Sequence, residues 1–80
     1  MKRLERIREE LNKKLNKKYG EYGNIICTIE NDDHVKVNFE ENYYLYDGLY
    51  DEKVYDFIDG ILKKYDTYFE LENSCIMTIF

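Results

Sequence analysis

His34 is the only histidine among the 80 residues, and it stands directly after Asp32 and Asp33. An Asp-Asp-His run offers metal ligands or an acid-base pair. A closed metal site, however, takes about four ligands, and these neighbours are strung on one short polar stretch whose residue types favour a turn. Nucleophilic chemistry needs a Ser or Cys oriented by a base. Cys27 and Cys75 are the only cysteines and show no metal-ligand spacing. Cys27 falls on the apolar side of its segment. Cys75 falls on the less apolar side of its own and has no basic neighbour in sequence to lower its pKa. The expectation is a protein with no catalytic residues, no metal and no cofactor.

Carboxylates and tyrosines form the denser patterns. Residues 1 to 18 carry eight Lys/Arg against three acids, whereas residues 19 to 80 carry fourteen acids against four Lys. The body is therefore strongly acidic, which argues against a nucleic-acid ligand and for a basic protein partner. Glu52, Asp56 and Asp59 fall within about 60° of one another on a helical wheel, so they make one carboxylate ridge. Glu70 and Glu72, two apart on a strand, share a face roughly 6.8 Å apart. Glu30, Asp32, Asp33, Glu40 and Glu41 add charge at the ends of a hairpin. Nine tyrosines are present, with Tyr43, Tyr44, Tyr46 and Tyr50 inside eight residues. Rigid amphipathic rings of this kind recur at binding hot spots. The candidate partner-binding set is Tyr44, Tyr46, Asp47, Tyr50, Asp51, Glu52, Asp56, Asp59, Glu70 and Glu72. The ordinary alternatives are a solubilising surface and strand tyrosines packed by their rings.

The elements that must position these residues follow from periodicity. Leu4, Ile7, Leu11 and Leu15 repeat at helical spacing, with Tyr19 extending the stripe and Gly20 ending it. Lys13, Lys14, Lys17 and Lys18 then complement the helix dipole. Residues 25–30 and 34–40 alternate with period two around Asn31-Asp32-Asp33. A three-residue loop opposes Ile29 to Val35, Cys27 to Val37 and Ile25 to Phe39, whereas a two-residue loop would scramble the faces. A third strand is expected over Tyr43–Tyr46, ending at Asp47-Gly48. A second helix then buries Val54, Phe57, Ile58, Ile61 and Tyr65. A closing hairpin turns at Asn73-Ser74, with Phe69, Leu71, Ile76, Thr78 and Phe80 on one face. The predicted order is α-β-β-β-α-β-β, a single α+β domain over residues 1–80 with an antiparallel sheet packed on two helices.

Eighty residues support one thin core, burying about 60 to 65% of the unfolded surface. With 44% apolar and 16% aromatic residues, the chain is too hydrophobic to remain disordered. No apolar run approaches the roughly 20 residues that span a bilayer, and the start lacks a signal-like apolar region. A reduced, cytoplasmic protein with no membrane partner is expected. The absence of Pro and Trp beside abundant Lys, Asn, Ile and Tyr fits a low-GC bacterium or its phage.

Gly20-Glu21-Tyr22-Gly23 has the bare pattern of a KH-domain loop, but it joins a helix to a strand and carries an acid. The α-β-β-β-α order is shared with double-stranded-RNA-binding domains, but Asp51-Glu52 stand where those place lysines. Small size, acidity, clustered Tyr and carboxylates and a helix-sheet-helix order over residues 1–65 resemble phage-encoded inhibitors, particularly the small type II-A anti-CRISPR proteins. The resemblance implies a DNA mimic whose acids, here Asp47, Asp51, Glu52, Asp56 and Asp59, occupy a basic cleft of a CRISPR effector such as a Cas nuclease. The basic first helix and the final hairpin depart from that family's pattern. A homo-oligomeric bacterial or phage interaction module, such as a homodimer whose basic helix pairs with an acidic body, is the second expectation.

Overall fold

The structure, a computed structural model, describes residues 2–46 and 51–80. Helix α1 (Arg3–Tyr19) is followed by a 3-10 turn (Gly20–Tyr22) and strands β1 (Ile26–Glu30) and β2 (His34–Asn38). Helix α2 (Glu52–Leu62) continues into a second 3-10 turn (Lys63–Tyr65). Strands β3 (Phe69–Asn73) and β4 (Ile76–Ile79) close the chain. All strand pairs are antiparallel, in the order β1-β2-β4-β3. The α+β architecture is as the periodicity predicts, with four strands among the described residues in place of five.

The apolar stripe of α1, Ile7, Leu11 and Leu15, is fully buried, because it is the one surface of that helix that can leave water against the sheet. Cys27, Val35, Val37, Met77 and Ile79 supply the sheet side of the core, and Val54, Ile58, Ile61 and Leu62 supply α2. Phe57, expected in the buried stripe, is only half-buried, and Leu62 takes the deep position. Asp51 caps α2 by accepting a 2.9 Å bond from the Lys53 N–H, which satisfies one of the helix's orphan donors.

The first hairpin has the expected three-residue loop and register, Glu30 opposite His34, Ile29 opposite Val35 and Cys27 opposite Val37. Asn31 and Asp32 adopt left-handed backbone with φ of 53° and 56°, a conformation that short polar side chains tolerate. Two expectations need correction. First, Tyr43–Tyr46 is a turn, not a strand. Two of its backbone bonds close on the turn itself, Asn42 N–H to Phe39 carbonyl at 3.0 Å and Tyr46 N–H to Asn42 carbonyl at 2.8 Å, and none is part of a strand ladder.

Second, β4 presents Met77 and Ile79 to the core, not Ile76, Thr78 and Phe80. Asn73 pairs with Ile76 at the turn, and this register, if continued, would oppose Leu71 to Thr78. An irregularity between Leu71 and Asn73 shifts the pairing by one, so Leu71 meets Met77 and Phe69 meets Ile79. A one-residue slip inverts every later side chain. Cys75, expected on the less apolar side, is buried by the same change.

Candidate functional site

Several aromatic rings gather where the turn after β2 meets the end of α1. Tyr44 stacks on Tyr22 with ring centroids 4.9 Å apart and on Tyr19 at 5.7 Å, and Tyr43 meets Tyr22 edge-on at 5.4 Å. Phe57 of α2 meets Tyr19 edge-on at 6.0 Å, and the Lys18 ammonium sits 4.3 Å from the Phe57 ring centre. Offset-stacked and edge-on geometries are those that the ring quadrupoles favour. Tyr43, Tyr44 and Tyr46 nevertheless remain 74%, 42% and 45% exposed. Tyr43 and Tyr44 are thus packed against Tyr22 and Tyr19 while their outer surfaces face water.

Two residues outside the predicted set hold this arrangement. Asn42 is fully buried. Its amide donates to the Tyr19 and Gly23 carbonyls, each at 2.9 Å, and its side-chain oxygen accepts from the Leu45 N–H at 3.0 Å. One side chain thus ties the end of α1, the following turn and the tyrosine turn together. A backbone bond from the Tyr43 N–H to the Tyr22 carbonyl, 3.1 Å, adds to it. Gly23 has φ of 128°, and a Cβ there would stand 1.9 Å from the Glu41 carbonyl oxygen. Only glycine permits that backbone approach. The glycines flanking Glu21-Tyr22 are the one sequence signal for this junction. Asn42 gave none, because a turn asparagine reads as an ordinary surface residue.

The acidic flank begins next to the rings. Burial raises the Tyr19 phenol pKa, with Tyr44 and the Asp51 carboxylate adding to the shift. Glu52, Asp56 and Asp59 lie on α2, with Glu52 and Asp56 exposed and Asp59 half-exposed. Opposite them on the helix lie the buried Val54, Ile58 and Ile61. Tyr44, Tyr46, Asp51, Glu52, Asp56 and Asp59 therefore belong to the turn and helix that adjoin the ring cluster. Glu70 and Glu72 do not join them. Glu70 pairs across from Thr78, and Glu72 accepts a 2.6 Å bond from the Thr78 hydroxyl with Lys36 at 4.0 Å. These groups share the face of the sheet turned away from the helices. Asp47 and Tyr50 lie outside the described residues.

Glu10, His34 and the two cysteines are engaged within the fold. Glu10 accepts from Lys14 at 2.6 Å, from Tyr65 at 2.6 Å and from Lys64. Burial opposes its ionisation, and the three donors more than offset this, so its pKa falls from 4.5 to about 2. The His34 Nδ1 is paired with Asp33 in the exposed hairpin turn, and its ring lies 6.0 Å from that of Phe80. Burial pushes the Cys27 thiol up to about 12, despite Arg8. Burial and then Glu40 raise that of Cys75. Among the described residues no three His, Cys, Asp or Glu side chains converge as metal ligands would, and no helix is long and apolar enough to cross a membrane.

Compared with known protein families, with curated proteins and with solved structures, the chain finds no match in any of the three. The geometry of the chain itself is what supports a functional reading.

Proposed function

We propose that this protein is a non-catalytic inhibitor, of the anti-CRISPR kind, that binds a basic nucleic-acid-handling effector such as a Cas nuclease and blocks its DNA or RNA site. The observation that carries the proposal is the ring cluster beside the acidic helix: Tyr43 and Tyr44, substantially exposed, yet packed on Tyr22 and carried by a turn that the buried Asn42 ties down. Rigid aromatic area lowers the ordering cost of association, and neighbouring carboxylates steer a basic surface toward it. A row of acids on Glu52, Asp56 and Asp59 offers an effector the charge pattern of a phosphate backbone. Chemistry at His34, Cys27 or Cys75 has no part in this reading, since the first is tied into a turn and both thiols are held protonated.

The test is competition between the purified chain and a labelled DNA duplex for a guide-loaded Cas nuclease. Displacement should weaken as salt rises, because exposed charges are screened within about 8 Å at physiological ionic strength. Asp56→Lys with Asp59→Lys, and separately Tyr44→Ala, should each reduce displacement at least tenfold. Equal potency of folded variants and wild type would remove the proposal.

A further inference from the structure

Helices α1 and α2 leave a groove of about 530 Å³ between them, floored by Phe57, Gly60 and Ile61 and rimmed by Lys14, Lys17 and Lys18. Lys14 is engaged by Glu10 and Lys18 lies against the Phe57 ring. Lys17 makes no ion pair among the described residues. The floor is apolar and the rim is cationic, which suits an occupant that brings carboxylates around a small apolar contact.

Gly60 adds an independent clue. It is exposed in the middle of α2, and a Cβ there would meet nothing within 4 Å. Packing within the chain does not require glycine, although glycine weakens a helix interior relative to alanine. A missing side chain at an open helical position has a use where another backbone comes close. Beside Gly60 on the same helix runs the ridge of Glu52, Asp56 and Asp59, roughly a third of a turn from the groove floor. One face of the molecule therefore carries, in sequence across α2, an acidic strip, an open glycine and a lysine-rimmed groove.

We infer that this face is the interface of a homodimer, in which each copy sets its acidic ridge against the lysine rim of the other. A two-fold axis running roughly along α2 and passing near Gly60 exchanges the two sides of the helix, so both charge contacts form at once around Phe57 and Gly60 of the two copies. Such a self-complementary patch is what a closed pair requires. The dimer buries the same Glu52, Asp56 and Asp59 ridge that the effector reading turns toward a target, so the two contacts are alternative uses of one surface. The mass of the isolated chain tests the dimer, and displacement of DNA from the nuclease tests the effector reading.

Sedimentation velocity over the micromolar range should show a monomer-dimer equilibrium that shifts toward monomer as salt is added. Lys17→Glu with Lys18→Glu should abolish the dimer, and so should Asp56→Lys with Asp59→Lys. Mixing the two variants should restore a hetero-pair, since each then presents what the other lost. Far-UV circular dichroism confirms that the exposed substitutions leave the fold intact. A wild-type chain that stays monomeric overturns the inference. So does a dimer indifferent to the lysine changes, or a mixture of folded variants that fails to pair. A monomer that instead captures poly-glutamate in the groove reassigns it to an outside acidic partner and also overturns the inference.

Discussion

Replacing Asn42 by alanine tests the junction on which the tyrosine surface depends. The substitution removes three hydrogen bonds of 2.9, 2.9 and 3.0 Å from a fully buried site. It strands the Leu45 N–H and the carbonyls of Tyr19 and Gly23. A buried group left without its partner costs about 1 to 3 kcal/mol. The carbonyl at Gly23 borders the surface and regains water, and the losses share one site and do not add fully. We expect a net loss of about 2 to 4 kcal/mol, out of a total near the lower end of about 5 to 15 kcal/mol for so small a domain. For a chain of this length that lowers the melting temperature by about 10 to 25 °C. Asn42→Asp sharpens the argument. It keeps the acceptor for Leu45 but turns a carboxylate toward two carbonyl oxygens, so near neutral pH it should destabilise at least as much as alanine. Part of that loss should return on acidification, when the new carboxyl becomes a donor. Urea and thermal unfolding of the three proteins measure this. A change below about 0.5 kcal/mol for both variants, the range of ordinary surface substitutions, would refute the account of Asn42 as the staple of this region.

Other consequences are direct. Gly23→Ala should unfold the same junction, because its Cβ would overlap the Glu41 carbonyl at 1.9 Å; a melting temperature equal to wild type would contradict the geometry. Leu11→Ala, at a fully buried position, should cost about 2 to 5 kcal/mol in urea unfolding, while Lys13→Ala with Lys17→Ala should leave stability nearly unchanged. The folded-state pKa of Glu10 is depressed, so its contribution is fully present above 4.5 and is lost as pH falls toward about 2. Glu10→Gln should therefore be less stable than wild type near neutral pH, by on the order of 1 kcal/mol after solvent screening of its exposed lysine partners. The two unfolding curves should converge at the acid end, and a gap that widens on acidification would reverse the sign of the argument. Cys27 should resist thiol reagents in the native state, with its thiol pKa near 12, and react only on unfolding; rapid native-state labelling would show an open core.

Local chemistry alone determined much of this molecule. The stripe of Ile7, Leu11 and Leu15 specifies a helix because no other backbone gathers those positions on one side. The alternation through Cys27, Ile29, Val35 and Val37 admits a single hairpin register if one face is to leave water. The acidic ridge of α2 was legible for the same reason, since helical spacing places 52, 56 and 59 together whatever lies around them. Tertiary structure decided the rest. Tyr43–Tyr46 has the residue types of a strand, but Asn42, buried by contacts nineteen and twenty-three positions back in the chain, gives its backbone local partners and makes a turn. That choice brings Tyr43 and Tyr44 onto Tyr19 and Tyr22, a juxtaposition no spacing rule encodes. The face of β4 was likewise undetermined locally, because Ile76, Met77 and Ile79 offer apolar groups on both sides. A one-residue shift against β3 decided it, turned Met77 and Ile79 inward, and left Glu70 and Glu72 on the far face from α2. Periodicity fixes which side of an element is apolar; which elements meet, and in what register, is settled only when all of them compete for the same small core.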